Sequence, residues 1–152
     1  MITYKTGSLF EAPKASLLAH ACNCKGKWTS GIAAAFKAKF PESFRIYRDY
    51  CFTLPEHLLI GKAMMTFENG YFIGCLFTSI DESHNPDPAE KILEQTRTAL
   101  IYLDAANFGG AEIHMPKINA GHFKVPWEQT EKVLESLSAG RDRYTIWTPE
   151  GT

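Results

Sequence analysis

The sequence lacks the features that mark several specialised classes of protein. We expect no signal peptide, and the sequence has no apolar run near the roughly 18 residues that a membrane-spanning helix needs. Its 16 Lys and Arg residues nearly balance 17 Asp and Glu residues, which leaves a net charge of −1. Because nucleic-acid binding through phosphate neutralisation requires a basic excess, we expect neither membrane association nor general nucleic-acid binding.

Cysteine is scarce, with four residues at positions 22, 24, 51 and 75. Without a signal peptide, we expect free thiols in the reducing cytoplasm. His20, Cys22 and Cys24 alternate, so they would share one face of a strand and could begin a zinc site. A structural zinc site needs four ligands, and no second cluster is visible. We therefore expect no metal and no cofactor.

Composition and length indicate one globular domain over residues 1–152, with 45% hydrophobic and 22% charged residues. Hydrophobic patterning predicts strands interleaved with helices. The predicted strands cover residues 2–6, 16–21, 58–68, 71–79, 111–118 and 144–147. The predicted helices begin at Gly31, at Pro41, after Asp87 as N-cap, and after Pro126. Asn69-Gly70 predicts a hairpin, so the fold class is α/β, with a mixed sheet and helices on both faces.

Three polar loops follow predicted strands, at residues 22–30, 80–87 and 119–124. In α/β sheets, ligands bind outside the carboxyl ends of the strands. The first loop contains glycine and opens the helix at Gly31, where unpaired N–H groups and partial positive charge favour an anion. The loop has neither the spacing of a P-loop nor the three glycines of a dinucleotide fingerprint.

Four segments, in this order, resemble the macro domain: TGSLFEAP, LLAHACNCKGKWTSGIAAAFKAKFP, CLFTS and MPKINAGHFKVPWEQTEKVLE. They most resemble the fungal-type ADP-ribose 1''-phosphate phosphatases and, more distantly, the ADP-ribosyl-glutamate hydrolases. The resemblance implies a three-layer α/β/α sandwich with a mixed sheet of about six strands. It also implies a cleft for ADP-ribose or ADP-ribose 1''-phosphate.

The resemblance assigns ligand-binding positions residue by residue. Beside the adenine it places Gly7, Ser8 and Leu9, and near the distal ribose Ala21, Cys22 and Asn23. The first phosphate loop matches Thr29, Ser30, Gly31, Ile32 and Ala33, and the second matches Asn119, Ala120, Gly121, His122 and Phe123. Thr78, from the CLFTS segment, joins this set. Macro domains usually place an aspartate where Ser8 stands, so strict adenine selectivity is not predicted.

Four side chains are candidates for chemistry: His20, Asn23, Asp81 and His122. Hydrolysis of a phosphomonoester needs an acid/base group and stabilisation of the phosphoryl charge. We expect Asp81 and His122 to form the acid/base pair and Asn23 to orient the distal ribose. The alternative for His20 is a buried, hydrogen-bonded strand histidine, and for Asp81 a turn cap.

Two other functions stay open. An ADP-ribosyl hydrolase would remove ADP-ribose from modified macromolecules. The glutamate-linked enzymes use a lysine just after the strand matching CLFTS and an aspartate in the second phosphate loop. Neither residue is in place here, where Ser79-Ile80-Asp81 and His122-Phe123-Lys124 stand. A non-catalytic ADP-ribose reader would need the cleft but no general acid.

Overall fold

A computed structural model describes residues 2–81 and 85–151. The strands are β1 (Ile2–Thr6), β2 (Leu17–Asn23), β3 (Ala63–Glu68), β4 (Tyr71–Ser79), β5 (Ile113–Met115) and β6 (Tyr144–Thr148). The helices are α1 (Gly31–Lys39), α2 (Pro41–Thr53), α3 (Glu56–Leu59), α4 (Ala89–Ala106) and α5 (Trp127–Ser138). A short 3-10 helix, Leu9–Glu11, follows β1.

All six strands form one mixed sheet in the order β1-β6-β5-β2-β4-β3. Among the described strands, only the β3–β4 pair is antiparallel, and the Asn69-Gly70 turn joins its two strands with positive φ at both residues. The parallel pairs include β2 with β5, in the register Leu17↔Ile113. The predicted mixed α/β sheet is confirmed.

Two hydrophobic clusters cover opposite faces of the sheet. One contains Leu18, Phe36 and Tyr47, so α1 and α2 pack on the first face. The other contains Leu17, Leu100 and Leu134, so α4 and α5 pack on the second. Leu17 and Leu18 are neighbours in β2 and point to opposite faces, as the pleat requires. The helices α1 and α5 therefore lie on different sides of β2 and β5.

Several predicted boundaries were wrong for identifiable reasons. The predicted strand 58–68 begins within helix α3 and becomes β3 only from Ala63, because Pro55 is the N-cap of a helical turn before the strand. The predicted strand 111–118 shortens to β5, and β2 runs two residues further than predicted, to Asn23. Asp87 does not cap α4, whose N-cap is Pro88. The Asp87 carboxylate accepts instead from the backbone N–H of Ile80 at 2.8 Å.

Among the described residues, no helix combines the length and hydropathy that crossing a bilayer requires.

Gly74 gives a test of how tightly α4 packs on the sheet. A Cβ at Gly74 would lie 2.9 Å from Leu17 Cδ2 and 3.3 Å from Leu103 Cδ1. We expect Gly74→Ala to lower the free energy of unfolding by about 1–3 kcal/mol, because the packed core cannot take the extra methyl group. Urea denaturation measures this loss. Gly109→Ala is the control, since nothing lies within 4 Å of its Cβ position. Equal stability of the two variants would contradict the prediction.

Candidate functional site

A cleft of about 430 Å³ opens at the carboxyl ends of β2, β5 and β6. Its lining comes from residues 21–23, 27–33, 116–123 and 147–149. The chain leaves β2 towards α1 on one face and leaves β5 towards α5 on the other. A crevice therefore forms between these neighbouring strands, at the kind of switch point where α/β sheets bind ligands.

Asn23 organises the first loop through its side-chain amide. Its Oδ1 accepts from the backbone N–H of Lys25 at 2.9 Å and from the Tyr47 hydroxyl at 2.9 Å. Its Nδ2 donates to the Lys27 carbonyl at 2.8 Å. The residue lines the cleft but is only 7% exposed. The amide thus closes the turn that carries the chain from β2 to α1.

The N-terminus of α1 faces the cleft without a side-chain cap. Ser30 occupies the N-cap position but makes no capping hydrogen bond, and the first turn contains no acidic residue. Gly31 has a φ of 59°, a conformation that favours glycine. The first N–H groups of this helix are therefore available to an anion.

Asn119 anchors the second loop from the interior. Its Oδ1 accepts from the Thr78 hydroxyl at 3.0 Å, and its Nδ2 donates to Thr96 Oγ1 at 3.0 Å. Its backbone carbonyl accepts from the Val125 N–H at 2.9 Å, which closes the loop. With a φ of 66°, Asn119 turns the chain while its side chain ties the loop to β4 and α4.

The two loops meet where His122 approaches Gly31. A Cβ at Gly31 would lie 3.5 Å from Cδ2 and 3.6 Å from Nε2 of the imidazole. His122 is exposed and lines the cleft, so its ring is solvent-accessible beside the α1 N-terminus. An imidazole and the uncapped N-terminus of α1 are thereby brought together.

The charge of the lining is positive in a protein that is slightly acidic overall. Among the described residues, the lining includes Lys27 and Lys117 but no Asp or Glu. Partial positive charge at the α1 N-terminus adds to these groups. The cleft is therefore suited to an anionic ligand.

The structure brings most of the predicted ligand positions together in this cleft. The lining contains Ala21, Cys22, Asn23, all of 29–33 and all of 119–123. Gly7, Ser8 and Leu9 lie outside it, and Ser8 instead caps the 3-10 helix by accepting from the Phe10 N–H at 3.2 Å. Thr78 is fully buried and holds Asn119 rather than reaching the cleft.

Asp81 also lies outside the cleft lining. Its carboxylate, 45% exposed, is 3.8 Å from Lys25 Nζ, and the same lysine contacts Glu56. The loop that contains Asp81 includes residues 82–84, which lie outside the described residues. The cleft lining therefore includes His122 but not Asp81, its predicted acid/base partner.

His20 is fully buried behind the cleft and does not line it. Its ring stacks on Phe36 with the centroids 3.9 Å apart and meets Trp28 edge-on at 4.6 Å. Burial lowers the pKa of His20 to about 3, so the imidazole is neutral at physiological pH. The packing is that of a core histidine, which was the alternative interpretation of this residue.

The side chains of His20, Cys22 and Cys75 form the one potential metal-ligand cluster of the described residues, with ligand atoms within 4.8 Å. Cys22 Sγ lies 3.8 Å from Nδ1 and 3.6 Å from Nε2 of His20. A sulfur at nearly equal distances from both nitrogens lies on the lone-pair axis of neither nitrogen. Burial also raises the pKa of the Cys22 thiol, which disfavours the thiolate that a metal needs. We infer packing rather than metal coordination.

The sequence interpretation missed part of the lining: Lys27, Trp28, residues 116–118 and residues 147–149. The last group joins the cleft because β6 lies parallel to β5, which places its carboxyl end at the same edge. No polar loop marks this strand end in the sequence. Lys27 and Trp28 directly precede the residues matched to the first phosphate loop. This adjacency is the one sequence signal that could have indicated that they line the cleft.

A three-layer α/β fold with a cationic cleft at the carboxyl ends of its strands defines a class of anion-binding domains. Comparison of the sequence with protein families narrows this class. The family described as Macro domain matches residues 19–134. The chain belongs to the macro domain family.

Relatives and solved structures agree with this assignment. An ADP-ribose 1''-phosphate phosphatase of Chaetomium globosum is 38% identical over 157 residues, covering 91% of this chain and 85% of the relative. A phosphatase of the same name from Candida albicans is 39% identical over 147 residues, covering 90% and 94%. The macrodomain of Mycobacterium tuberculosis DarG superimposes with a TM-score of 0.78 at 25% identity, covering 99% of each chain.

The burial of His20 predicts a pH-dependent stability. The pKa of the His20 imidazole is 6.5 in the unfolded chain but about 3 in the folded protein. Stability from His20 is thus present above pH 6.5 and is lost as the pH falls towards 3, by up to about 1.4 kcal/mol per pH unit. Urea denaturation from pH 7 to 4 should show a shallower decline for His20→Phe than for the wild type. His57→Gln, at an exposed histidine, should keep the wild-type slope. Identical slopes for wild type and His20→Phe would refute this account.

Thr78 tests the anchor of the second loop. Thr78→Val preserves shape but leaves Asn119 Oδ1 buried without its donor, so we expect a loss of about 1–3 kcal/mol in the free energy of unfolding. Thermal or urea unfolding provides the measurement. Thr145→Val is the matched control, because this half-buried strand threonine makes no such bond to Asn119. A Thr78→Val variant as stable as the control would show that the anchor contributes little.

Proposed function

We propose that this macro domain hydrolyses the phosphomonoester of ADP-ribose 1''-phosphate. The observation that carries the proposal is a cleft whose described lining contains no carboxylate, formed where the α1 N-terminus meets the 119–123 loop. A pyrophosphate needs several N–H donors and close backbone approach, which small residues and a free helix end provide. The names of the Chaetomium and Candida relatives support the same substrate.

His122 is the proposed acid/base residue. Its side chain lines the cleft, and an imidazole is the group that most often serves as a general acid or base in enzymes. It lies beside Gly31, so a phosphate held by the α1 N-terminus would lie next to the ring. The imidazole would move a proton to or from the reacting oxygens, while backbone N–H groups stabilise the charge on the phosphoryl group.

The predicted roles of the other candidates follow from their surroundings. Asn23 shapes the first loop, and we propose that this loop orients the distal ribose. Asp81 remains a proposed partner of His122, although it lies outside the cleft lining and near Lys25. His20 is proposed to support Phe36 and Trp28 from the core rather than to transfer protons.

The expected cellular setting is the reducing cytoplasm. All four cysteines are free and buried, which supports a protein that works without disulfides.

Phosphate release from ADP-ribose 1''-phosphate tests the proposal. We expect turnover by the wild type, and a fall in kcat of about 10²-fold or more for His122→Ala, the usual loss when an acid/base group is removed. ADP-ribose affinity, measured by calorimetry, should change little. The exposed His57→Ala serves as control and should keep wild-type turnover. A comparable kcat loss for Asp81→Ala would support the predicted pair, and full turnover would leave His122 acting alone.

Two parallel assays distinguish the alternatives. Release of ADP-ribose from a modified protein or nucleic acid, without phosphate release, would favour the ADP-ribosyl hydrolase. Calorimetric binding of ADP-ribose with no turnover of either substrate would favour the non-catalytic reader. Either result would overturn the phosphatase proposal.

A further inference from the structure

Trp147, a residue of β6, forms part of the cleft wall. It lies near the end of β6, is 8% exposed and lines the cleft. A Cβ at Gly7, the residue that follows β1, would lie at an ordinary packing distance of 3.5 Å from Trp147 Cζ3, so the backbone passes close to that side of the ring. The indole therefore has a defined place between the strand ends and the cleft.

The Trp147 indole N–H donates a hydrogen bond that determines the tautomer of the buried His114. Trp147 Nε1 donates to His114 Nδ1 at 2.9 Å. An indole N–H can only donate, so Nδ1 must be the unprotonated acceptor. The proton of the neutral ring is then on Nε2, which lies 3.2 Å from Glu112 Oε1 and donates to it.

Glu112, His114 and Trp147 thus form a directed hydrogen-bond chain that ends at the cleft wall. His114 lies on β5, one strand away from Trp147, and its side chain is only 3% exposed. His114 does not line the cleft, whereas Glu112 is largely exposed at the other end of the chain. Because His114 is not among the described residues that line this cleft, its link to a ligand there runs through the hydrogen bond to Trp147.

We propose that His114 is a positioning residue that fixes the Trp147 indole in the orientation in which the cleft binds ADP-ribose. This inference rests on the proposed function, because it takes ADP-ribose as the ligand. A ring held in place before binding loses little side-chain freedom when the ligand packs against it. Loss of the hydrogen bond frees the indole and leaves its N–H unpaired in a buried place.

Substitutions at His114 separate the hydrogen bond from simple packing. His114→Leu removes the acceptor at similar volume, whereas His114→Asn places its Oδ1 near the former position of Nδ1. For His114→Leu we expect about tenfold weaker ADP-ribose binding, the effect of losing roughly one buried hydrogen bond. The kcat at saturating substrate should stay within about twofold, because the reacting groups are untouched. His114→Asn should restore affinity to within about threefold of the wild type.

The indole N–H signals in a ¹H–¹⁵N spectrum report on the bond directly. The chain has three tryptophans, and only the Trp147 signal should move upfield in His114→Leu and return in His114→Asn. Trp127, whose Nε1 donates to the Tyr4 hydroxyl at 2.9 Å, is the internal control. If His114→Leu fails to fold, His114→Gln replaces it, since its amide reaches the Nε2 end and leaves Nδ1 without a substitute.

The outcomes separate the two proposals. An unchanged Trp147 signal and unchanged affinity in His114→Leu or His114→Gln would overturn the positioning role. Equal weakening by His114→Leu and His114→Asn would also overturn it, because packing alone would then account for the loss. In a Trp147→Phe background, His114→Leu should cost no further affinity. Absence of ADP-ribose binding in the wild type would overturn the proposed function, whereas the indole signals would still report on the hydrogen bond.

Discussion

The parallel pairing of β2 with β5 is the constraint on which the site depends. The two strands pair side by side at Leu17↔Ile113, although more than ninety residues of sequence separate them. Their connections then leave to opposite faces of the sheet, towards α1 and α5. Two loops that are remote in sequence consequently face each other across one crevice.

Two buried asparagines fix the shapes of the two loops through side-chain hydrogen bonds. The amide of Asn23 closes the first turn on Lys25 and Lys27, and the amide of Asn119 ties the second loop to Thr78 and Thr96. Both residues were predicted to bind ligand through their position in the loops. Their amides are largely engaged within the protein, so their clearest contribution is to hold backbone N–H groups in place. Sites with a rigid supporting shell can bind an anion with little reorganisation.

Local structure could be predicted from the sequence where residues close together along the chain determine it. The strand Ile2–Thr6, the turn at Asn69-Gly70 and the inward face of α4 all follow from short-range patterns. Asp87 shows the limit of such reasoning. Its position before Pro88 is typical of a helix cap, but the carboxylate binds the Ile80 N–H across its own loop. Competition between a local and a more distant donor cannot be read from residue order.

The sequence by itself determined the class of fold, the glycine-containing turn that opens α1 at Gly31 and the family, because these depend on hydrophobic period, turn chemistry and contiguous motifs. Only the tertiary structure decided which polar residues share the cleft. It placed Trp147 in the wall and His122 over Gly31, and it left His20 in the core and Asp81 beside Lys25. The physical reason is that strand order and the side of each crossover arise from packing between distant segments, which the order of residues along the chain does not display.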